Sequence, residues 1–271
     1  MSTCLPRSVR LPINRCNLPA AILGSLTYQQ HPVALRLDGV EEVHRQLFDL
    51  LQAADDPAQR ARAFMAHMAA TFSLERPEEA GYAQTRRSQY ARARADYLRV
   101  LRGWAFDADG REGAVLKGWV ESRFGLLPRY HGGPIRDFSG PAYRHYLEQR
   151  SGGLYNTNSL EAQFDLVYAY CQHELGRLWP GASHLTLYRG VNRMQQFETL
   201  GEAAARRRTV LLNSLNSFTR DRDRAGEFGD HILAVRVPLP KVCFFHGLLP
   251  GKLRGEGEYG VIGGVYQVTL E

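Results

Sequence analysis

The stretch Leu249-Pro250-Gly251-Lys252-Leu253-Arg254-Gly255-Glu256-Gly257-Glu258-Tyr259-Gly260-Val261-Ile262 decides between two folds. Its glycines at 255, 257 and 260 spell G-x-G-x-x-G. In a dinucleotide-binding βαβ unit that pattern opens a helix, with a further strand beyond it. Only 11 residues follow Gly260, and they read as strand, so the Rossmann reading is rejected. The acids give a better reading. Side chains two apart in a strand share a face. An extended Glu256-Gly257-Glu258 therefore sends both carboxylates into one cleft. The competing reading is a pair of solvated loop acids.

Working outward, His184 to Val191, Val210 to Thr219, His231 to Leu239 and Val242 to Phe245 also read as strands. Glu258 to Ile262 and Val265 to Leu270 complete the set. Short strands so closely spaced, with few helices between them, indicate a mostly antiparallel sheet or sandwich. Tyr188-Arg189-Gly190 ends the first strand and can aim an arginine into a cleft. Ser217-Phe218-Thr219 places two hydroxyls on one strand face, and a short helix capped near Asp221 follows.

The first two-thirds reads as helical. Val43, Leu47, Leu50, Leu51 and Ala54 fall at helical spacing. Asp56-Pro57 is an N-cap with proline at the first helical position, ahead of a stripe of Ala61, Phe64, Met65, Met68 and Phe72. These methionines and phenylalanines are core residues. A third helix is expected from Pro77 to about Leu101, carrying Arg86, Arg87, Arg92, Arg94, Arg99 and Arg102. Gly125, Pro128, Gly132, Gly133 and Pro134 mark a loop region. Asn158 and Glu161 suggest an N-cap with an acid at N3, opening a helix that Pro180-Gly181 ends. The expected fold class is α+β. A helical part, residues 1–180, packs on a mostly antiparallel two-sheet core, residues 181–271, the two together forming one compact unit.

Bulk properties narrow the function. Across 271 residues, 44% hydrophobic and 23% charged composition is that of an ordinary globular chain. The net charge of +6 and pI of about 9.2 suit an acidic partner, a membrane surface or nucleic acid, or only a solvated basic surface. Lys117, Lys241 and Lys252 are the sole lysines among 34 Lys and Arg, which leaves 31 arginines. The basic helix lacks the interleaved aromatics of a single-strand binder, and nucleic acid is not the expected partner. Cys4, Cys16, Cys171 and Cys243 are too sparse for a disulfide scaffold and wrongly spaced for zinc. No metal is expected. No apolar run reaches the ~20 residues of a membrane span. Leu18 to Leu26 is broken by Pro19 and reads as an ordered arm, so a cytoplasmic location is expected.

Arginine, then Ser-x-Thr on a strand, then Glu-x-Glu resembles the arginine–serine–glutamate signature of mono-ADP-ribosyltransferases. Arg189 lies 28 residues before Ser217, and Ser217 lies 41 before Glu258. That family has Ser-Thr-Ser where this chain has Ser217-Phe218-Thr219, so only Ser217 carries over directly. A resemblance covering most of the chain is to dinitrogenase reductase ADP-ribosyltransferases. It rests on Leu11-Pro12-Ile13-Asn14-Arg15-Cys16-Asn17-Leu18-Pro19, on Tyr155-Asn156-Thr157-Asn158-Ser159-Leu160-Glu161, and on Leu249 to Glu258. It implies NAD as substrate and an arginine of dinitrogenase reductase as acceptor. In that family the modification shuts off nitrogen fixation, which the resemblance implies here. The resemblance also implies a PII signalling protein as regulator.

The chemistry fits these residue types. Cleaving ribose from nicotinamide builds positive charge on the ribose, which a carboxylate on the 2′-hydroxyl stabilises. Glu258 takes that role. A guanidinium acceptor stays protonated and needs a carboxylate to orient it and take its proton. Glu256 takes that role, and the resemblance ties a Glu there to arginine acceptors. Arg189 is expected to fork onto the NAD phosphates, and Gly190 to offer backbone groups to the carboxamide. Ser217, with Thr219 beside it in the NAD-binding set, is expected to hold Glu258 or the ribose. Phe228, placed in the NAD-binding set, Phe244 or Phe245 could stack on nicotinamide, while a core role is the leading reading for each. The loop from His246 to Gly255 is placed to touch the acceptor protein. Two other readings compete: an NAD glycohydrolase, in which water replaces the arginine, and a non-enzymatic basic binding protein.

Overall fold

The computed structural model describes residues 4–75, 95–155, 157–192, 197–200, 206–253 and 257–271. Short helices α1 (Ala20–Leu23), α2 (Leu26–Gln30) and α3 (Val40–Val43) lead into α4 (Arg45–Ala53) and α5 (Pro57–Phe72). Then come α6 (Tyr97–Phe106), α7 (Arg111–Phe124), α8 (Pro141–Gly153) and α9 (Ser159–Leu178). The strands are β1 (His184–Val191), β2 (Glu198–Thr199), β3 (Arg207–Thr219), β4 (His231–Pro238), β5 (Val242–Phe245) and β6 (Glu258–Leu270), with α10 (Arg222–Gly226) between β3 and β4. The chain is α+β, as expected.

Several local signals act as read. The Asp56 carboxylate accepts from the amides of Ala58 and Gln59, and Pro57 occupies the first turn of α5. Asp221 does the same for Asp223 and Arg224 at α10. The helix expected from Pro77 to Leu101 falls largely on 76–94, outside the described residues. What is described is a separate start, where Asp96 caps α6 through the Leu98 amide. Tyr97, Val100, Leu101 and Trp104 form its buried stripe.

Other signals act differently. Helix α9 begins after Asn158, but that side chain makes no capping bond. Glu161 instead accepts from Arg123 at 2.8 Å, and the same guanidinium forks onto Asp165. Arg123 is buried, and the two acids satisfy a charge that could not otherwise leave water.

All strand pairings are antiparallel. The two layers are not separate sheets. They join as one six-stranded system in the order β2-β3-β1-β4-β6-β5, with β3 also pairing β6. The β1–β4 pair bridges the long β3–β6 pair, touching β3 at Tyr188↔Thr219 and β6 at Leu233↔Leu270. The last two expected strands are one strand. Gly263 and Gly264 kink β6 opposite an irregularity between Leu212 and Leu215 of β3. A Cβ on Gly263 would fall 1.6 Å from the Asn213 carbonyl oxygen, and Gly264 adopts φ 113°. Both positions need glycine. The fully buried Lys241 caps this kink, donating to the Gly263 carbonyl at 2.6 Å with the Tyr266 ring 4.6 Å from its ammonium. Burial pulls its pKa down to about 7.

Residues Tyr259 to Tyr266 of β6 are buried without alternation, so both faces of the strand are covered. One hydrophobic cluster runs from Leu5 to Val268, with helical and strand residues in the same core. Among the described residues, no helix is long and apolar enough to cross a membrane.

Candidate active site

The β3–β6 register assembles the site. Thr219 pairs with Glu258 and Ser217 with Gly260. Ser217 and Glu258 are thus diagonal neighbours on one face, close enough for side chains to meet. The Ser217 hydroxyl donates to Glu258 Oε1 at 2.6 Å. On β1, Arg189 Nη1 donates to the Ser217 backbone carbonyl at 2.8 Å. A guanidinium, a hydroxyl and a carboxylate from three strands therefore converge, as the sequence predicts.

A fourth residue was not legible. Trp104 on α6, only 2% exposed, donates its indole N–H to Glu258 Oε1 at 2.8 Å. Through this contact the helical part, residues 1–180, supplies a side chain to the site. Behind the indole, the ammonium of Lys117 on α7 lies 6.0 Å from the ring. Lys117 donates to Asp109 at 2.7 Å, to the Tyr130 carbonyl at 3.0 Å and to His131 Nδ1 at 3.2 Å.

The electrostatics follow from burial. Desolvation pushes the Glu258 pKa above the ordinary carboxylate value, while the Ser217 and Trp104 hydrogen bonds and the Arg189 charge oppose the rise. Burial likewise pulls Arg189 below its usual value, against Asp109 and Glu258. The Arg189 Nε is buried without a hydrogen-bond partner among the described residues. An arginine with unspent donors beside a carboxylate is suited to gripping an anionic group such as a phosphate.

Beside Glu258 lies a small hollow that opens to solvent. Leu101 and Ala105 of α6 wall one side, and Phe244 and Phe245 of β5 contribute to the lining. The Phe244 ring fills the place where a side chain at 260 would stand, since a Cβ on Gly260 would lie 2.3 Å from it. Phe228 does not line this hollow. It is 60% exposed after α10, with the Arg224 guanidinium 5.8 Å from its ring. Thr219 is buried, and its hydroxyl accepts from the Asp221 amide at 3.1 Å, helping to turn the chain into α10.

Two expectations need amendment. Glycine at 190 has a packing cause, because a Cβ there would lie 2.0 Å from the Ala225 carbonyl oxygen. Glu256 lies outside the described residues. Gly257 has φ 75°, so the backbone is not extended between the two acids, and β6 starts only at Glu258. The backbone turns at Gly257, so strand alternation does not run through that position. Among the described residues, no group of three or more His, Cys, Asp or Glu is placed to hold a metal ion.

Two comparisons with known proteins give matches. The family described as dinitrogenase reductase ADP-ribosyltransferase matches residues 13–270. A Rhodospirillum rubrum protein, NAD(+)–dinitrogen-reductase ADP-D-ribosyltransferase, is 42% identical over 257 residues, covering 94% of this chain and 93% of that protein. No solved structure matches. The chain belongs to the dinitrogenase reductase ADP-ribosyltransferase family.

Proposed function

We propose that this chain cleaves NAD and transfers the ADP-ribose to an arginine of dinitrogenase reductase, inactivating it and so regulating nitrogen fixation. The observation that carries the reading is the Ser217–Glu258 hydrogen bond at 2.6 Å, with Arg189 fixed on the same serine's carbonyl. The name of the Rhodospirillum rubrum relative supports the substrate.

In this reading Glu258 acts as an ionised carboxylate. It accepts from the ribose 2′-hydroxyl and stabilises the positive charge that develops as nicotinamide leaves. Ser217 orients Glu258, and Thr219 shapes the strand end beside it. Arg189 holds the phosphates with the donors left unspent, and Gly190 presents backbone to the carboxamide. Of the three candidate aromatics, Phe228 is the one exposed enough to take a new partner, since Phe244 and Phe245 already pack in the hollow's wall. Glu256 orients the acceptor guanidinium and takes its proton.

The helical part, residues 1–180, serves target and regulator recognition, with a PII signalling protein as regulator. Residues 181–271 form the NAD-binding core, and the enzyme works in the cytoplasm. The test is mass spectrometry of purified dinitrogenase reductase after incubation with this protein and NAD. An ADP-ribose adduct on one arginine is expected. Free ADP-ribose with no labelled protein would instead identify an NAD glycohydrolase. The Glu256→Gln variant should lose transfer while keeping some NAD hydrolysis. Equal loss of both would remove the assigned division of labour.

A further inference from the structure

We propose that Trp104, contributed by the helical part of the chain, is a positioning residue that fixes the orientation of the Glu258 carboxylate. The proposal rests on the reading of Glu258 as the NAD-cleaving carboxylate. Both donors, Ser217 Oγ at 2.6 Å and Trp104 Nε1 at 2.8 Å, end on Oε1. Neither of these bonds engages the other oxygen, Oε2. Two bonds to one oxygen stop rotation of the carboxylate and leave Oε2 as the oxygen presented to substrate. The two donors differ in kind. A serine hydroxyl rotates and both donates and accepts, whereas an indole N–H only donates and moves only with its ring.

The ring is held from several directions. Trp104 is buried in the stripe of α6 with Val100 and Leu101. Arg102, on the same helix, donates to the Lys252 carbonyl at 3.0 Å and ties α6 to the chain just before β6. Lys117 packs over the indole face and is anchored by Asp109. The cation draws electron density from the ring, which strengthens the N–H as a donor. The ionisable groups around Glu258 are Arg189 on β1, Arg102 on α6, Lys117 on α7 with Asp109, and His246 after β5. Trp104 carries no charge, so its replacement leaves all of these in place.

The experiment uses the full chain with NAD and dinitrogenase reductase. It compares the unmodified protein, Trp104→Phe, and a protein carrying 3-benzothienylalanine at 104, which keeps the indole shape and lacks only the N–H. Losing a hydrogen bond to a charged group should lower kcat about 10- to 100-fold. KM for NAD should change by less than about twofold, because the lost interaction acts in the transition state. The acid limb of the pH–rate profile should move to higher pH, since one bond favouring the ionised carboxylate is gone. An unmoved acid limb and unchanged kcat in the benzothienyl protein would overturn the proposal, and that protein decides the matter if Trp104→Phe does not fold. Glu258→Gln is run alongside. Full activity in that variant would sink the assignment of Glu258 itself. An inactive Glu258→Gln with an indifferent Trp104 would sink only the positioning role.

Discussion

Gly190 packs against Ala225 so closely that a Cβ at 190 would stand 2.0 Å from the Ala225 carbonyl oxygen. The obstacle is backbone, which cannot swing away as a side chain can. Helix α10 thus sits directly on the end of β1, next to Arg189. Replacing Gly190 with alanine should push α10 outward and disturb the Arg189 guanidinium. Overpacking of this kind costs about 1–3 kcal/mol, equivalent to roughly 2–4 °C of melting temperature per kcal/mol in a chain of this size class. Calorimetry should show a lowered Tm, and NAD titration a raised KM. A variant with native Tm and KM would show that α10 yields without cost.

The carboxylate of Glu258 is expected to oppose stability while it supports catalysis. Burial raises its pKa in the folded chain above the unfolded value. A raised pKa means that the stability it contributes is present at low pH, where it is protonated, and is lost as pH rises through the folded pKa. Glu258→Gln removes that charge and keeps an oxygen to accept from Ser217 and Trp104. The variant should lose turnover by roughly 100- to 1,000-fold, as when one electrostatic contact is deleted. Its Tm at pH 7 should equal or exceed that of the unmodified protein, and the advantage should disappear in acid. A lower Tm at pH 7 would mean that the ionised carboxylate stabilises the fold.

How much of this was legible depends on whether a feature is local. Asp56, Asp221 and the strand ends act through neighbours a few residues away, and the sequence shows them. Helix α7 was missed because it is buried nearly all round, from Gly113 through Phe124, and a helix covered on every side has no polar stripe to reveal its period. Gly263-Gly264 reads as a break between strands because nothing local indicates that Asn213 and Lys241 hold the kink. Glu161 looks like a capping acid until Arg123 arrives from another helix. Trp104 meets Glu258 across 154 residues, and no spacing rule reaches that far. The lysine distribution is a further signal in the sequence. In a chain with 31 arginines, lysine remains at three positions, and two of them, Lys117 and Lys241, are buried. Each ammonium is held by buried acceptors: Lys117 donates to Asp109 and the Tyr130 carbonyl, Lys241 to the Gly263 carbonyl.

The Arg60–Glu174 pair ties α5 to α9 inside the protein. Its bonds are 2.6 and 2.9 Å, and the side chains are 3% and 5% exposed. Arg60 also donates to the Ala54 and Asp55 carbonyls. Arg60→Met would strand a buried carboxylate, at a cost of about 3–5 kcal/mol. The double variant Arg60→Met with Glu174→Leu should recover much of that loss, because no lone charge remains. Urea denaturation of the two singles and the double completes the cycle. If the double lost the sum of the two single effects, the pair would not be coupled.

His131 makes the fold sensitive to acid. This side chain is fully buried, and burial, with Lys117 adding to it, pushes its pKa down to about 4. Lys117 can only donate, so Nδ1 of His131 accepts, and the ring proton of the neutral form lies on Nε2. Protonating Nδ1 would break that bond and set two cations against each other. The folded pKa lies below the unfolded value near 6.5, so the stability His131 contributes is complete above that value and is lost as pH falls through about 4. His44, His67 and His173 are shifted in the same direction by burial and add to the effect. Tm should therefore fall between pH 7 and pH 4.5. His131→Asn keeps an oxygen near the Nδ1 position to accept from Lys117 and cannot take a proton in this range. Its Tm should fall less over the same interval. An identical fall in both proteins would show that Lys117 and His131 do not share the linkage drawn from their 3.2 Å contact.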